Sequence, residues 1–188
     1  ANKGAVVVME ASTGKILVML SKPSYDPNQI ASQWEYLNGD EENSPLLNRA
    51  TQGAYAPGST FKIVTALEYM REHSDYADYT YDCYGEITQE GTTIRCFDNI
   101  VHGFQDLKSS VANSCNASFS NIGLSLDRTS YRKTAEELLF NKKLPCSLDY
   151  TKPSFKVNEN TSDVEMMMTA MGQGNTMTNP YHMALITS

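Results

Sequence analysis

YAPGSTFKIVTALEYM, residues 55–70, joins a turn signal to a long apolar run, with a serine and a lysine three positions apart where they meet. Pro57 and Gly58 allow a sharp turn. After Ser59, the residues Phe61, Ile63, Val64, Ala66, Leu67, Tyr69 and Met70 fit a buried helix with few polar positions. At i and i+3 of a helix two side chains share a face, so the Lys62 amine can reach the Ser59 hydroxyl. The free N–H groups and macrodipole of a helix start favour a developing negative charge there. The apolar surroundings should strip water from Lys62. A desolvated lysine can lose its proton near neutrality and serve as a base toward a serine hydroxyl. A plain alternative exists: Ser59 only caps the helix and Lys62 snorkels to solvent.

The rest of the chain suits one domain, or one domain and a fragment of another: 188 residues, 40% of them hydrophobic. A net charge of −7 argues against nucleic acid as a partner, because counterion displacement needs a basic stripe. No stretch reaches the roughly 18 apolar residues of a membrane span, and the start does not resemble a secretory signal.

Residues 4–21 read as a β-hairpin turning at Gly14, and the segment after it as loop with one short helical turn. Residues 46–188 read as a mostly helical lobe. Within it, 72–104 is irregular, with a small hairpin in GEITQEGTTIRCF, residues 85–97. Residues 106–126 read as two helices broken near Ser114. TSYRKTAEELLFNKK, 129–143, reads as an amphipathic helix capped by Thr129 or Ser130 with lysines in its last turn. A Met-rich helix, a Gly172-Gln173-Gly174 turn and a helix from about Asn179 follow, the methionines serving as core filler.

Cys83, Cys96, Cys115 and Cys146 include no CxxC, and the histidines show no zinc spacing, so neither metal nor cofactor is expected. Cys83 and Cys96 bracket a loop that a disulfide could close; two reduced thiols are the equal alternative. His102, next to Gly103, reads as a turn residue.

Ser-x-x-Lys occurs three times. Ser12 and Lys15 straddle the hairpin turn and lose the helical neighbourhood. Ser130 and Lys133 lie on a surface helix, as cap and solvated charge. Ser59 and Lys62 alone combine a helix start, a sharp turn and an apolar setting. A second pattern follows about fifty residues on: Ser114-Cys115-Asn116, whose hydroxyl and amide at a helix break can relay a proton and hold a polar substrate. The two together, in this order, are the first two motifs of penicillin-binding proteins and class A β-lactamases.

The chain resembles the transpeptidase domain of penicillin-binding proteins nearly end to end. The likeness is carried by VVVMEASTGKILVMLSKPSYDPN, NRATQGAYAPGSTFKIVTALEYM, HGFQDLKSSVANSCNASF and MGQGNTMTNPYHMA. It implies an α+β fold: a helical lobe plus the opening β-hairpin of a β-lactamase-like antiparallel sheet. It implies that Ser59 is the acylated nucleophile, Lys62 its base, Ser114 the proton shuttle and Asn116 the ligand of the substrate amide. It further implies a peptidoglycan stem-peptide or lipid-linked donor ending in D-Ala-D-Ala and acylation of Ser59 by β-lactams. Other cell-wall synthesis or division proteins would be partners. The place of action would be the extracytoplasmic face of the bacterial membrane, reached through an anchor outside these residues.

The family's third motif, Lys-Thr/Ser-Gly, is absent from these 188 residues; Lys133-Thr134-Ala135 lacks the glycine and precedes the Gly-Gln-Gly segment. That motif's strand supplies a second oxyanion donor, and losing one such donor costs roughly 3 to 4 kcal/mol of transition-state stabilisation. Residues 1–188 alone are therefore expected to be nearly inert toward a fluorescent penicillin, and rapid covalent labelling would contradict this. The alternative functions are a serine β-lactamase, a β-lactam sensor and a non-catalytic cell-wall scaffold. Class A enzymes usually carry Asp at the Cys115 position, class D enzymes usually Val at the Asn116 position, and a silent scaffold would have lost Ser59 or Lys62.

Overall fold

Two continuous apolar runs, residues 5–9 and 16–20, flank a turn at Gly14 and make the first element a hairpin. A computed structural model of the chain describes residues 2–188 and pairs β1 (Gly4–Met9) with β2 (Ile16–Lys22), antiparallel. The register shifts by one residue between Val8 and Met9, where a bulge bends the ribbon. The following loop holds one short helix, α1 (Trp34–Gly39), which buries Leu37. The chain divides into two compact units. The first comprises the residues up to Tyr55, Asn141–Pro153 and Met177–Ser188; the second comprises Ala56–Phe140 and Ser154–Thr176.

The second unit contains the helical body. A single 3-10 turn, Gly58–Phe61, leads into α2 (Lys62–Glu72). Beyond it lie β3 (Thr80–Cys83), the hairpin β4 (Glu86–Gln89) and β5 (Thr92–Arg95), and β6 (Gly103–Asp106). The β4–β5 hairpin agrees with the sequence reading. The β3–β6 pair does not: a region read as irregular carries an antiparallel ladder from Thr80–Asp106 to Cys83–Gly103. Two short-sequence signals separated by a long excursion pair only through tertiary structure, which local patterning cannot reveal.

After β6 come α3 (Leu107–Ala112) and α4 (Asn116–Ser125), separated at Ser114 as the sequence suggested. A capping box starts α3, with Asp106 accepting from Ser109 N and the Ser109 side chain returning to the Asp106 backbone. Helix α5 (Arg128–Glu137) corrects the sequence reading twice. Its cap is Asp127, whose carboxylate accepts from Ser130 N at 2.8 Å. It also stops at Glu137, so Lys142 and Lys143 lie beyond its last turn. Leu139 and Asn141 take left-handed backbone angles there and end the helix.

Helix α6 (Asp163–Ala170) buries Met166 and Met167, and Met167 packs with Ile94 and Met171. The methionines are core filler, as read. The aromatic centre of this unit is Phe61, Tyr131, Phe140 and Phe155, all within 2% of full burial. Phe61 stands 5.5 Å from Phe140 edge-on and 5.8 Å from Phe155 in a stacked arrangement, centroid to centroid. Burial of each such ring is worth about 1.5 to 3 kcal/mol. Phe61 lies between Ser59 and Lys62 in sequence, so this core holds the turn that carries both. The turn is tied again by Gly58 N donating to Gly172 O at 2.8 Å.

In the first unit, α7 (Pro180–Ile186) packs on β1. Asn179 caps it by accepting from His182 N, and Tyr55 and Thr178 exchange two 2.8 Å backbone bonds just before it. The whole is a mixed α+β fold with small antiparallel sheets, as expected.

Candidate functional site

Ser59 sits in the 3-10 turn ahead of α2 with its side chain exposed, while Lys62, the first residue of α2, is 2% exposed. Gly58 has φ +59°, a left-handed value that turns the chain sharply just before the serine. The turn directs Phe61 and Lys62 inward and leaves Ser59 at the surface.

Four oxygen atoms surround the Lys62 amine. Nζ is 2.7 Å from Ser114 O, 2.7 Å from Asn116 Oδ1, 3.0 Å from Ser114 Oγ and 3.3 Å from Ser59 Oγ. The Phe119 ring, itself fully buried, lies 5.5 Å away from centroid to Nζ. Burial pulls the lysine down to about 8, opposed in part by Cys115 and Cys96. A substantial neutral fraction therefore exists near physiological pH.

The donor count gives the arrangement its direction. A neutral amine has two N–H bonds and one lone pair. Ser114 O and Asn116 Oδ1 can only accept, so they take the two N–H bonds. The lone pair is left facing two hydroxyls, Ser59 Oγ–H and Ser114 Oγ–H. Either can give its proton to nitrogen, and nitrogen can pass one to the other. The orientation of Asn116 follows from its other end, where Nδ2 donates to Arg95 O at 2.9 Å and so turns Oδ1 toward Lys62.

The break between α3 and α4 builds the far side of this cage. Ser114 has φ +49°, unusual for a residue with a Cβ, and its N–H is held by Val111 O. Cys115 N donates to Ser110 O, and Cys115 is the cap of α4, its Sγ accepting from Ser118 N at 3.4 Å. A buried chain of hydroxyls, Ser110 Oγ to Ser118 Oγ at 2.7 Å and Ser118 Oγ to Tyr79 OH at 2.9 Å, fixes the two helices beneath the turn.

All four residues singled out in the sequence, Ser59, Lys62, Ser114 and Asn116, thus meet around one nitrogen. The other two Ser-x-x-Lys pairs do not join them: Ser12 and Lys15 are exposed at the hairpin turn, and Ser130 N is taken by Asp127. Sequence reasoning missed the Arg95 carbonyl and Phe119. A backbone acceptor leaves no residue-type signal, and Phe119 looks like any core residue of α4.

Behind the cage lies a second cluster. Cys83, Cys96, Cys115 and His102 bring three sulfurs and an imidazole nitrogen within 4.8 Å of one another. The thiols are free, and Cys83 Sγ stands 3.7 Å from Cys96 Sγ, well past the roughly 2 Å of a disulfide. His102, read from sequence as a turn residue, has Nδ1 3.5 Å from Cys83 Sγ. Among the described residues, these four form a group that could hold a metal ion.

A fold of this kind, with an exposed serine backed by a buried lysine and a Ser-x-Asn corner, defines a class. The chain belongs to the penicillin-binding protein transpeptidase domain family, whose sequence model matches residues 4–188. Among its relatives, the peptidoglycan D,D-transpeptidase PbpA of Mycolicibacterium smegmatis is 38% identical over 135 residues, 65% of this chain and 27% of that protein. Stage V sporulation protein D of Bacillus subtilis is 30% identical over 97% of this chain and 27% of its own length. The chain overlays penicillin-binding protein A of Mycobacterium tuberculosis, in its imipenem acyl-enzyme complex, with a TM-score of 0.89 and 29% identity, covering 98% of this chain and 45% of that one. The same TM-score relates it to Pseudomonas aeruginosa PBP2, a likeness of fold at 24% identity over 98% of this chain and 46% of the other. The chain therefore spans about a quarter of these curated relatives and under half of the matched solved chains.

Proposed function

We propose that the protein containing this chain is a peptidoglycan D,D-transpeptidase that works through a Ser59 acyl-enzyme. The observation that carries the reading is the convergence of Ser59, Ser114 and Asn116 on a buried, partly neutral Lys62. The Lys62 amine takes the Ser59 proton as Oγ bonds to the carbonyl carbon of the penultimate D-Ala. The bond to the terminal D-Ala breaks, and that amine leaves with a proton relayed through the Ser114 hydroxyl. The acyl group then passes to the amine of a second stem peptide, which restores Ser59. Asn116 holds the donor's amide and keeps Lys62 in place.

Support also comes from relatives. Several are named peptidoglycan D,D-transpeptidases, and the M. tuberculosis protein is solved as imipenem and penicillin G acyl-enzymes. The Helicobacter pylori PBP2 is solved with MreC, which supports a cell-wall protein as a partner here. Action at the extracytoplasmic membrane face, through an anchoring segment outside these residues, belongs to the same proposal.

The test is acylation by benzylpenicillin of the whole protein, followed by peptide mass spectrometry and a pH series. The adduct is expected on the peptide holding Ser59. Only the amine form of Lys62 accepts a proton, so the second-order acylation rate should climb with pH and level off above about 8. An adduct elsewhere would overturn the nucleophile assignment, and a rate flat from about pH 6 to 9 the base assignment.

A further inference from the structure

We infer that the outward face of β3 and β6, with the turns beside it, docks a basic amphipathic segment of a partner protein. Charge points there first. Residues 75–106 hold seven acidic side chains and one basic one, Arg95. Six of the chain's seven net negative charges therefore lie in this stretch, and the other 156 residues are nearly balanced. Arg95 pairs with Glu86 at 3.1 Å, which leaves the field of the other six acids uncancelled within the segment.

The same stretch exposes apolar side chains. Phe97 is 85% exposed, Tyr84 78%, Phe104 66%, Val101 63% and Ile100 48%; the first two are the most exposed large hydrophobics among the described residues. Apolar side chains scattered singly over a surface are ordinary, whereas grouped ones mark contact sites. The backbone brings these five together. Strand residues alternate between faces. Cys83 and Gln105 face inward, while Asp82 and Phe104, directly opposed in the β3–β6 ladder, face solvent. Asp106, across from Thr80, shares that outer face, and Tyr84 extends it one step past the end of β3.

Gly85 then joins the face to the neighbouring turns. Its carbonyl accepts from Cys96 N at 2.8 Å, and a Cβ on it would lie 3.4 Å from Val101 Cγ2 and 3.5 Å from Ile100 O. Tyr84, Phe97, Ile100 and Val101 thus sit on three stretches of chain that converge on one glycine. Asp82, Asp98 and Asp106, all exposed, belong to the same stretches. The partner's chemistry follows from this mixture. Aromatic side chains are enriched where proteins meet. Carboxylates around them repel nucleic acid and anionic bilayers, and they draw lysine and arginine. A segment with apolar side chains on one face and basic ones beside them meets both demands. Phe97 is two residues from Arg95, whose carbonyl holds Asn116 Nδ2, so the partner would sit beside the lysine cage. Docking itself does not depend on acyl transfer by Ser59.

The test titrates two short amphipathic peptides into the whole protein by fluorescence anisotropy, one of leucine and lysine and one of leucine and glutamate. Only the lysine peptide should bind. Its affinity should fall at least about 10-fold in about 1 M salt, where charges are screened within about 3 Å. Phe97→Ser with Phe104→Ser, and separately Asp82→Lys with Asp98→Lys, should each weaken binding at least about 10-fold. All four residues are exposed, so the urea midpoint should hold. Asp149→Lys with Glu159→Lys makes the same charge change on exposed residues elsewhere and should leave binding unchanged. Equal binding of the two peptides, indifference to the first two variant pairs, or equal loss with the control pair would overturn the surface. So would tighter binding of phosphatidylglycerol vesicles than of the lysine peptide. A photo-crosslinking phenylalanine at position 97 of the whole protein, in its own cells, then identifies the occupant by sequencing the joined segment. A net-positive amphipathic segment of another protein is expected. Adducts only with lipid, glycan or acidic segments, or none at all, would overturn the proposal.

Discussion

Lys62→Met is expected to slow acylation of Ser59 by a β-lactam about 10³- to 10⁴-fold at neutral pH, the upper part of the range for a general base. Methionine keeps most of the length and apolar bulk of the lysine stem, so packing against Phe119 should survive. What disappears is the lone pair that receives the serine proton. Ser114 O and Asn116 Oδ1 lose their donor, but Ser114 is exposed and water can reach it. The measurement is the rate of covalent labelling by a fluorescent penicillin, with Ser59→Ala as the variant that forms no adduct. Serine and lysine act as one unit, so the double variant should be no worse than Ser59→Ala alone. A Lys62→Met rate within tenfold of the parent, with an intact fold, would mean that the base lies elsewhere.

Gly172→Ala should injure both stability and acylation, although residue 172 has no side chain to touch the serine. A Cβ there would sit 2.1 Å from Gly58 O and 2.6 Å from the Phe61 Cβ, and the backbone has φ +75°. Left-handed backbone costs a residue with a Cβ about 1 to 2 kcal/mol, and forcing atoms into a packed site about 1 to 3 more. The sum, about 2 to 5 kcal/mol, should appear as a lower urea midpoint at unchanged slope. The displaced atoms belong to the turn that carries Ser59, and a shift of about 1 Å at a nucleophile can cost 10²-fold in rate. Gly174→Ala makes the control. It shares a positive φ, +67°, but its Cβ would meet only the end of the Glu165 side chain. That chain can swing aside, so stability should fall less and acylation should hold. Equal rates for parent and Gly172→Ala would show that the turn tolerates displacement.

Much of this site could be read in the sequence because its signals are local. A Pro-Gly before an apolar run announces a turn and a helix, and Ser59 and Lys62 are close enough for helix geometry alone to join them. The Ser114 break was visible too, in a cluster of Ser, Asn and Cys between two apolar stretches. What could not be read needs distant partners. Thr80–Cys83 pairs with Gly103–Asp106 across the β4–β5 excursion, and nothing in either segment names the other. The cap of α5 was misassigned because Thr129 and Ser130 look like caps, while Asp127, two or three residues earlier, takes the bond. The cluster of Cys83, Cys96, His102 and Cys115 escaped notice for the same reason as β3–β6: three of the four sit at or beside those four strands, and only the folded ladder gathers them.

Phe61 has a consequence for how the serine can behave. Its ring is wedged among Tyr131, Phe140 and Phe155, two residues along the chain from Ser59. Lifting Ser59 by even an ångström would drag that wedge out of its seat, so under the proposed acyl transfer the attacking oxygen would be a fixed anvil. Accommodation of differently shaped acyl donors must come from walls elsewhere around the cleft, and drug-evading changes should accumulate there and spare the anvil.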